Sequence, residues 1–245
     1  KSARKKEKED QKEAEFRETQ SVYYIVHINQ TDEPKQYLLK LENKLIYEIM
    51  FRVNTKGNLV AMGHYRNNRK TDANGAFYMR IDGQTGELIA SKLMPFDQEL
   101  VKDMMGRRSV KKDIGLSNME MRQIILTNDG GATLLSEYYH YYTVTYTTTD
   151  AKGNTTTRTE HHYIYGDIVA VNFSPQGDLL SLGRVKKNQH TINDGGRYSG
   201  YAYAIAAGKI CFFFNANVKR KQLVGGPVEY KMKKARKASA VMASL

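Results

Sequence analysis

A short turn phrase recurs along the chain and decides the fold class. It occurs as FRVNTKGNLVAMG (51–63), as MRIDGQTGELI (79–89) and as VAVNFSPQGDLL (169–180). Each copy joins two runs of β-forming residues through Asn or Asp, a short turn and a glycine. Asn and Asp accept hydrogen bonds from their own backbone at such turns, and glycine takes the positive φ that closes them. The repeat therefore predicts adjacent strands joined by tight turns.

A second phrase, NDGG, stands at 128–131 and at 193–196. We expect a strand after each copy, over residues 132–137 and 198–205. Helical patterns are confined to an N-terminal arm and to about residues 95–105. The chain is therefore expected to be all-β.

Repeated hairpin phrases with even spacing are typical of the four-stranded blades of a β-propeller. We predict a charged arm, helical or disordered, over residues 1–20 and a β-propeller-like domain over 21–245, either partial or a fragment of a larger propeller. A β-sandwich obeys the same local rules and stays an alternative.

Composition excludes several classes of protein. The 245 residues are 40% hydrophobic and 26% charged, which argues against collagen, wholesale disorder and a pure coiled coil. No apolar run is long enough to span a bilayer. The single cysteine, Cys211, lies in an apolar run and is expected to be a buried thiol.

The net charge of +12 is concentrated in two segments. Residues 102–112 and 219–237 are rich in Lys and Arg, and we interpret both as exposed loops. A docking surface for an acidic partner, anionic lipid or nucleic acid is the alternative, and few aromatic residues interleave with the lysines, which disfavours nucleic acid. The candidate basic surface consists of Lys233, Lys234, Arg236 and Lys237.

Residues 138–165 hold seven tyrosines and nine threonines around the turn DAKGN. This composition predicts a long β-hairpin that projects from the body, with no apolar core stripe on either face. Exposed tyrosines on a rigid ribbon can dock a protein or stack on a sugar, and the candidate partner-binding residues are Tyr139, Tyr141 and Tyr163. A hairpin stabilised only by cross-strand pairs is the alternative.

Motifs for catalysis and metal binding are missing from the sequence. We find no nucleophile elbow, zinc-binding helix motif or phosphate-binding loop, and the aspartates already have turn roles. Pairing about the hairpin turn would bring His140 near His162, with His161 on the opposite face, but spacing places no third ligand. We therefore predict no catalytic residue, no metal and no cofactor, and a non-enzymatic protein, with an enzyme left open.

Five segments carry a resemblance to a known group of proteins. With residues 128–131, 147–156, 167–172, 186–202 and 212–217, the chain resembles a group of uncharacterised exported, propeller-like proteins of Bacteroidetes-type bacteria. The likeness covers about residues 46–217. It implies an envelope or secreted protein with no established reaction, and it transfers no catalytic residue.

Together these observations predict a non-enzymatic scaffold or protein-binding module of the bacterial cell envelope, periplasmic, at the outer surface or secreted. Its partners would be envelope proteins or surface glycans, and the alternative is a glycan-binding or glycan-processing β-propeller. The chain begins at Lys1 rather than Met and ends in AVMASL (240–245). We expect both ends to be cuts through a longer protein whose signal peptide is missing here.

Overall fold

A computed structural model describes residues 22–27, 35–41, 43–217, 230–232 and 235–245. Strands dominate these residues. In chain order they are β1 (Val22–His27), β2 (Lys35–Lys40), β3 (Leu45–Val53), β4 (Leu59–Arg66), β5 (Gly75–Ile81), β6 (Leu88–Pro95), β7 (Met119–Leu126), β8 (Ala132–Thr149), β9 (Thr155–Phe173), β10 (Leu179–Val185), β11 (Lys187–Ile192), β12 (Ala202–Ala206), β13 (Lys209–Ala216), β14 (Tyr230–Met232) and β15 (Ser239–Ser244).

The strands form four sheets. In two of them, β1-β2 and β3-β4-β5-β6, each strand pairs antiparallel with the next strand along the chain. A third sheet has the order β12-β13-β15. The largest has the order β14-β11-β9-β8-β7, with β10 paired to β9. The all-β prediction is confirmed. Within the described residues no sheet closes on itself, so a propeller stays a prediction.

Glycines close the turns at the positions that the repeated phrase predicts. Gly57, Gly86 and Gly177 have φ of 79°, 75° and 86°, and each lies between two paired strands. The side chain of Asn54 accepts backbone N–H groups of its own turn, whereas in the third copy Ser174 does so in place of Asn or Asp. The predicted turns are confirmed.

The long hairpin is also confirmed. Asp150 N–H donates to the Asn154 carbonyl (2.9 Å), and Gly153 N–H donates to the Asp150 carbonyl (3.0 Å), so β8 and β9 run antiparallel from this turn. Between Thr143 and Thr159 nearly every side chain is exposed, whereas residues 132–137 at the start of β8 are buried. Only the outer half is therefore an exposed ribbon.

The described residues divide into two compact units. The first comprises residues up to Ser117, residues 123–134 and residues 171–180. Its β3-β4-β5-β6 meander buries both faces of β4 and β5. One face packs a cluster of Leu39, Leu41, Ile46, Ala61, Tyr65, Phe77, Met79 and Ile81.

Residues 102–112 are not a loop, which corrects the sequence interpretation. They lie mainly in two short helices, α1 (Gln98–Met105) and α2 (Arg107–Lys111). The Asp97 carboxylate caps α1 by accepting the Leu100 N–H (2.6 Å), and Gly106 (φ 85°) separates the helices. Their basic side chains are exposed. Within the described ranges no helix is long and apolar enough to cross a bilayer.

The second unit comprises residues 118–122, 135–170 and 181–245. One strand prediction in it needs correction. The strand expected over 198–205 begins only at Ala202, because Gly196 and Gly200 have positive φ and keep the preceding residues in a turn.

The segment 219–237 is not wholly a loop either. Tyr230–Met232 forms β14, which pairs in parallel with β11, and Met232 is 1% exposed. Much of this segment, like the arm predicted over residues 1–20, lies outside the described residues. Cys211 is half-buried on β13 rather than buried.

Close backbone contact makes Gly63 on β4 a sensitive position. A Cβ there would clash with the Glu48 carbonyl and lie 2.7 Å from Phe77 Cε1. We expect Gly63→Ala to lower the free energy of unfolding by about 1–3 kcal/mol or more, through overpacking. Gly57→Ala is the control, because it meets no atom within 4 Å and bears only the strain of a positive φ. Chemical denaturation of both variants measures the costs, and an equal or smaller loss for Gly63→Ala would contradict the packing.

Candidate functional site

One side of the hairpin carries four neighbouring tyrosines, here called the tyrosine face: Tyr139, Tyr141, Tyr163 and Tyr165. Antiparallel pairing sets Tyr139 beside Tyr165, with ring centroids 4.8 Å apart, and Tyr141 beside Tyr163, at 5.1 Å. Alternate residues of a strand share a face, so both pairs lie on the same side. The structure thus brings together all three predicted tyrosines. Tyr165 was missed, although its position mirrors Tyr139 about the turn.

Arg122 of β7 lies against this face. Its guanidinium carbon is 5.6 Å from the Tyr139 ring centroid and 5.8 Å from that of Tyr165. Its Nε donates to Glu137 (2.9 Å), and its terminal nitrogen is 2.9 Å from Glu120. Two carboxylates therefore hold a cation over two rings, an arrangement that stabilises both ring positions.

An enclosed ion pair supports the tyrosine face from within the unit. Lys187 Nζ lies 2.5 Å from Glu137 Oε1, and the two side chains are 0% and 2% exposed. Lys187 Nζ also donates to Gln189 Oε1 (3.0 Å). Burial lowers the pKa of Lys187, and the Glu137 carboxylate opposes that effect.

Gln189 connects this ion pair to the turn after β11. Its Oε1 also accepts the Gly200 N–H (2.8 Å), and its Nε2 donates to the Asn215 carbonyl (2.9 Å). Gly196 packs on Tyr165 so closely that a Cβ would lie 2.9 Å from the phenol oxygen. The second NDGG phrase therefore does more than begin a strand, because its glycine admits the Tyr165 ring.

The opposite side of the same strands carries a row of four rings: His140, Tyr142, His162 and His190. Successive centroids lie 5.4, 4.6 and 5.2 Å apart. His162 is buried, and its Nδ1 lies 2.9 Å from His190 Nε2. The sequence placed His161 correctly on the other face, where its Nδ1 is 2.7 Å from the Tyr141 hydroxyl. It did not foresee that His190 would be the hydrogen-bond partner of His162.

The predicted basic surface is not joined to the tyrosine face by any described contact. Lys237 is exposed in a 3-10 turn (Ala235–Lys237). Lys233 and Lys234, and the side chain of Arg236, lie outside the described residues. Their part in binding stays a prediction.

A shallow cleft of about 350 Å³ lies elsewhere in the second unit. Tyr198, Phe213 and Asn215 help to line it. Two hydroxyls of the same chain segment, Ser199 Oγ and Tyr201 Oη, are shielded from solvent and have no hydrogen-bond partner among the described residues. Burial raises the pKa of Tyr201, so its phenol stays protonated.

The chemistry of the tyrosine face suits recognition. Burial raises the pKa of both Tyr139 and Tyr165, so their phenols stay neutral and can donate hydrogen bonds at physiological pH.

Among the described residues no group of three or more His, Cys, Asp or Glu is placed to hold a metal ion. Comparisons of the chain with family models, with curated proteins and with solved structures give no match.

His190 is expected to make the stability of the fold depend on pH. Burial and neighbouring His162 lower the pKa of His190, so the unfolded chain binds more protons as pH falls. The folded state is therefore expected to lose stability as pH drops below about 6.5, the ordinary histidine pKa. The melting temperature of the wild-type chain should fall between neutral and mildly acidic pH.

His190→Phe should weaken this pH dependence, because the ring stays and the titrating group is lost. His140→Phe is the control, since the His140 ring stacks on Tyr142 in the same row. Thermal unfolding followed by circular dichroism at several pH values measures the effect. The same pH slope in His190→Phe and in wild type would contradict the assignment.

Proposed function

We propose that the chain is a non-enzymatic protein-binding module of the bacterial cell envelope, or an exported one, that holds its partner on the tyrosine face. The observation that carries this proposal is the fixed position of four tyrosine rings on strands rather than on a loop, with Arg122 beside two of them, Tyr139 and Tyr165. Tyrosine and arginine are enriched among residues that dominate binding energy. Rings that are held in place before binding lose little entropy when a partner arrives.

The resemblance of residues 46–217 to exported propeller-like proteins supports the envelope location. The β3-β4-β5-β6 meander has the strand number and order of one propeller blade, which supports a propeller-like arrangement.

Charge favours an acidic partner. The chain carries a net charge of +12, and the five basic residues of segment 102–112 are exposed. A positive field of this size attracts a negatively charged protein and speeds its association. The tyrosine rings would then supply contact area and specificity.

Glycan binding is the second candidate, and the cleft favours it. Aromatic side chains at its lining, Tyr198 and Phe213, are partly exposed and could stack on a sugar ring. A sugar would therefore be expected to depend on the cleft rather than on Tyr141 or Tyr163.

The test compares two double variants of the ribbon. Tyr141→Ala with Tyr163→Ala truncates the tyrosine face, and Val144→Ala with Tyr146→Ala is a control on the opposite face. Tyr139 is left unchanged, because its packing against Tyr165 and Arg122 means that truncation would also cost stability. Each variant is used to capture partners from a cross-linked envelope fraction, and its melting temperature is measured in parallel.

We expect an acidic protein that wild type and the Val144/Tyr146 control retain and that the tyrosine-face variant loses. Loss of one hot-spot ring can cost about 2 kcal/mol or more of binding energy. Identical partner lists for all three proteins would overturn the proposal. Binding of all three to the same sugar on a glycan array would instead support the second candidate.

A further inference from the structure

The outer part of β8 has an open edge. β7 pairs with β8 only at its base, and the last backbone bond runs from the Tyr139 N–H to the Asn118 carbonyl (2.8 Å). β8 continues for ten more residues, to Thr149. Among the described residues no strand pairs with this stretch on the side away from β9.

The hydrogen bonds that are present show which backbone groups face that edge. Asp150 bonds to Asn154 across the hairpin turn, so even-numbered residues of β8 point toward β9. Tyr139 bonds to the other side, and antiparallel strands alternate in this way. The backbone N–H and C=O groups at the open edge therefore belong to Tyr141, Thr143, Thr145, Thr147 and Thr149.

The sequence of this edge is unusual for an unpaired strand. Residues 141–149 are YYTVTYTTT, with no charge, no proline and no glycine. Natural proteins usually protect open edges with lysine, proline or a bulge, because such edges invite pairing. The opposite edge of the ribbon, on β9, carries the Arg158–Glu160 ion pair at 3.2 Å. Of the two edges of this ribbon, the β8 edge has no charged residue, proline or glycine over residues 141–149.

We propose that two copies of the chain pair antiparallel along residues 141–149 and form a symmetric dimer. In the register centred on Thr145, that residue faces its own copy, Thr143 faces Thr147, and Val144 faces Tyr146. Threonine pairs and aromatic pairs with β-branched residues are favourable across strands. No like charges meet, although the whole chain is strongly basic. This self-complementarity identifies the occupant as a second copy.

The dimer goes beyond the proposed function and is compatible with it. A two-fold axis perpendicular to the sheet places odd-numbered residues of both copies on the same side. Two tyrosine faces would then point in one direction from a continuous sheet with the order β9-β8-β8-β9. A partner with two matching segments would bind such a dimer with increased avidity.

Disulfide trapping tests the register. Thr145→Cys is made in a Cys211→Ala background, and Thr159→Cys is its matched control. The two threonines are exposed cross-strand neighbours, with hydroxyls 3.1 Å apart. In the proposed dimer the Cα atoms of the two copies of residue 145 would lie about 5.5 Å apart, which a disulfide can bridge. The two copies of residue 159 would be about 14 Å apart, or three strand spacings.

We expect oxidation to give a disulfide-linked dimer for Thr145→Cys and none for Thr159→Cys. In sedimentation velocity the unmodified chain should show a concentration-dependent dimer. Thr145→Lys should weaken that dimer by at least about tenfold, because two ammonium groups would meet at the axis, whereas Thr159→Lys should not. A monomer at every concentration, equal cross-linking of both cysteine variants, or cross-linking of Thr159→Cys alone would overturn the proposal.

Discussion

The enclosed pair of Lys187 and Glu137 is the constraint on which the second unit depends. Neither side chain has meaningful contact with solvent. A buried charge that loses its partner is strongly destabilising, so both groups must be satisfied inside the unit. Lys187 pairs with the Glu137 carboxylate and donates a hydrogen bond to Gln189. Glu137 also accepts a hydrogen bond from Arg122. These four side chains lie on β7, β8 and β11. A shift in the register of any of these strands would separate a buried charge from its partner.

The position of the tyrosine rings follows from the same network. Glu137 holds Arg122 over Tyr139 and Tyr165, and Lys187 Nζ lies 5.9 Å from the Tyr165 ring centroid. Gln189 fixes the turn whose glycine packs on that ring. Lys187 and Glu137 are therefore unavailable to a partner themselves, but they hold the tyrosine face in position. Rings fixed on strands would lose less conformational freedom on binding than rings on a loop, which is why we propose a binding role.

Local features were predictable from the sequence because their causes are local. The Gly57, Gly86 and Gly177 turns and the DAKGN hairpin depend on residues within a few positions of each other. The shared face of Tyr139, Tyr141 and Tyr163 follows from strand alternation about a known turn. The helical pattern over about residues 95–105 corresponds to α1, but residues 102–112 were interpreted as a loop because they are rich in basic residues and interrupted by Gly106, so α2 was missed.

Non-local features were not predictable. Glu137 and Lys187 are 50 positions apart, and β11 pairs with β9 and β14 rather than only with neighbours in sequence. A lysine next to Lys186 looks like a surface charge, and nothing in its local sequence marks it as enclosed. The His162–His190 bond was missed for the same reason, because it needs the β9–β11 register.

The most direct measurement of the central claim is a double-mutant cycle on the enclosed pair. Glu137→Gln, Lys187→Met and the combined variant are compared with wild type by chemical denaturation. Each single change should cost about 3–5 kcal/mol, and the double variant much less than their sum, with a coupling of about 2 kcal/mol or more. The exposed Lys92–Asp178 pair, at 3.7 Å, is the control and should couple by less than about 1 kcal/mol. Additive costs within about 0.5 kcal/mol for Glu137 and Lys187 would contradict the account.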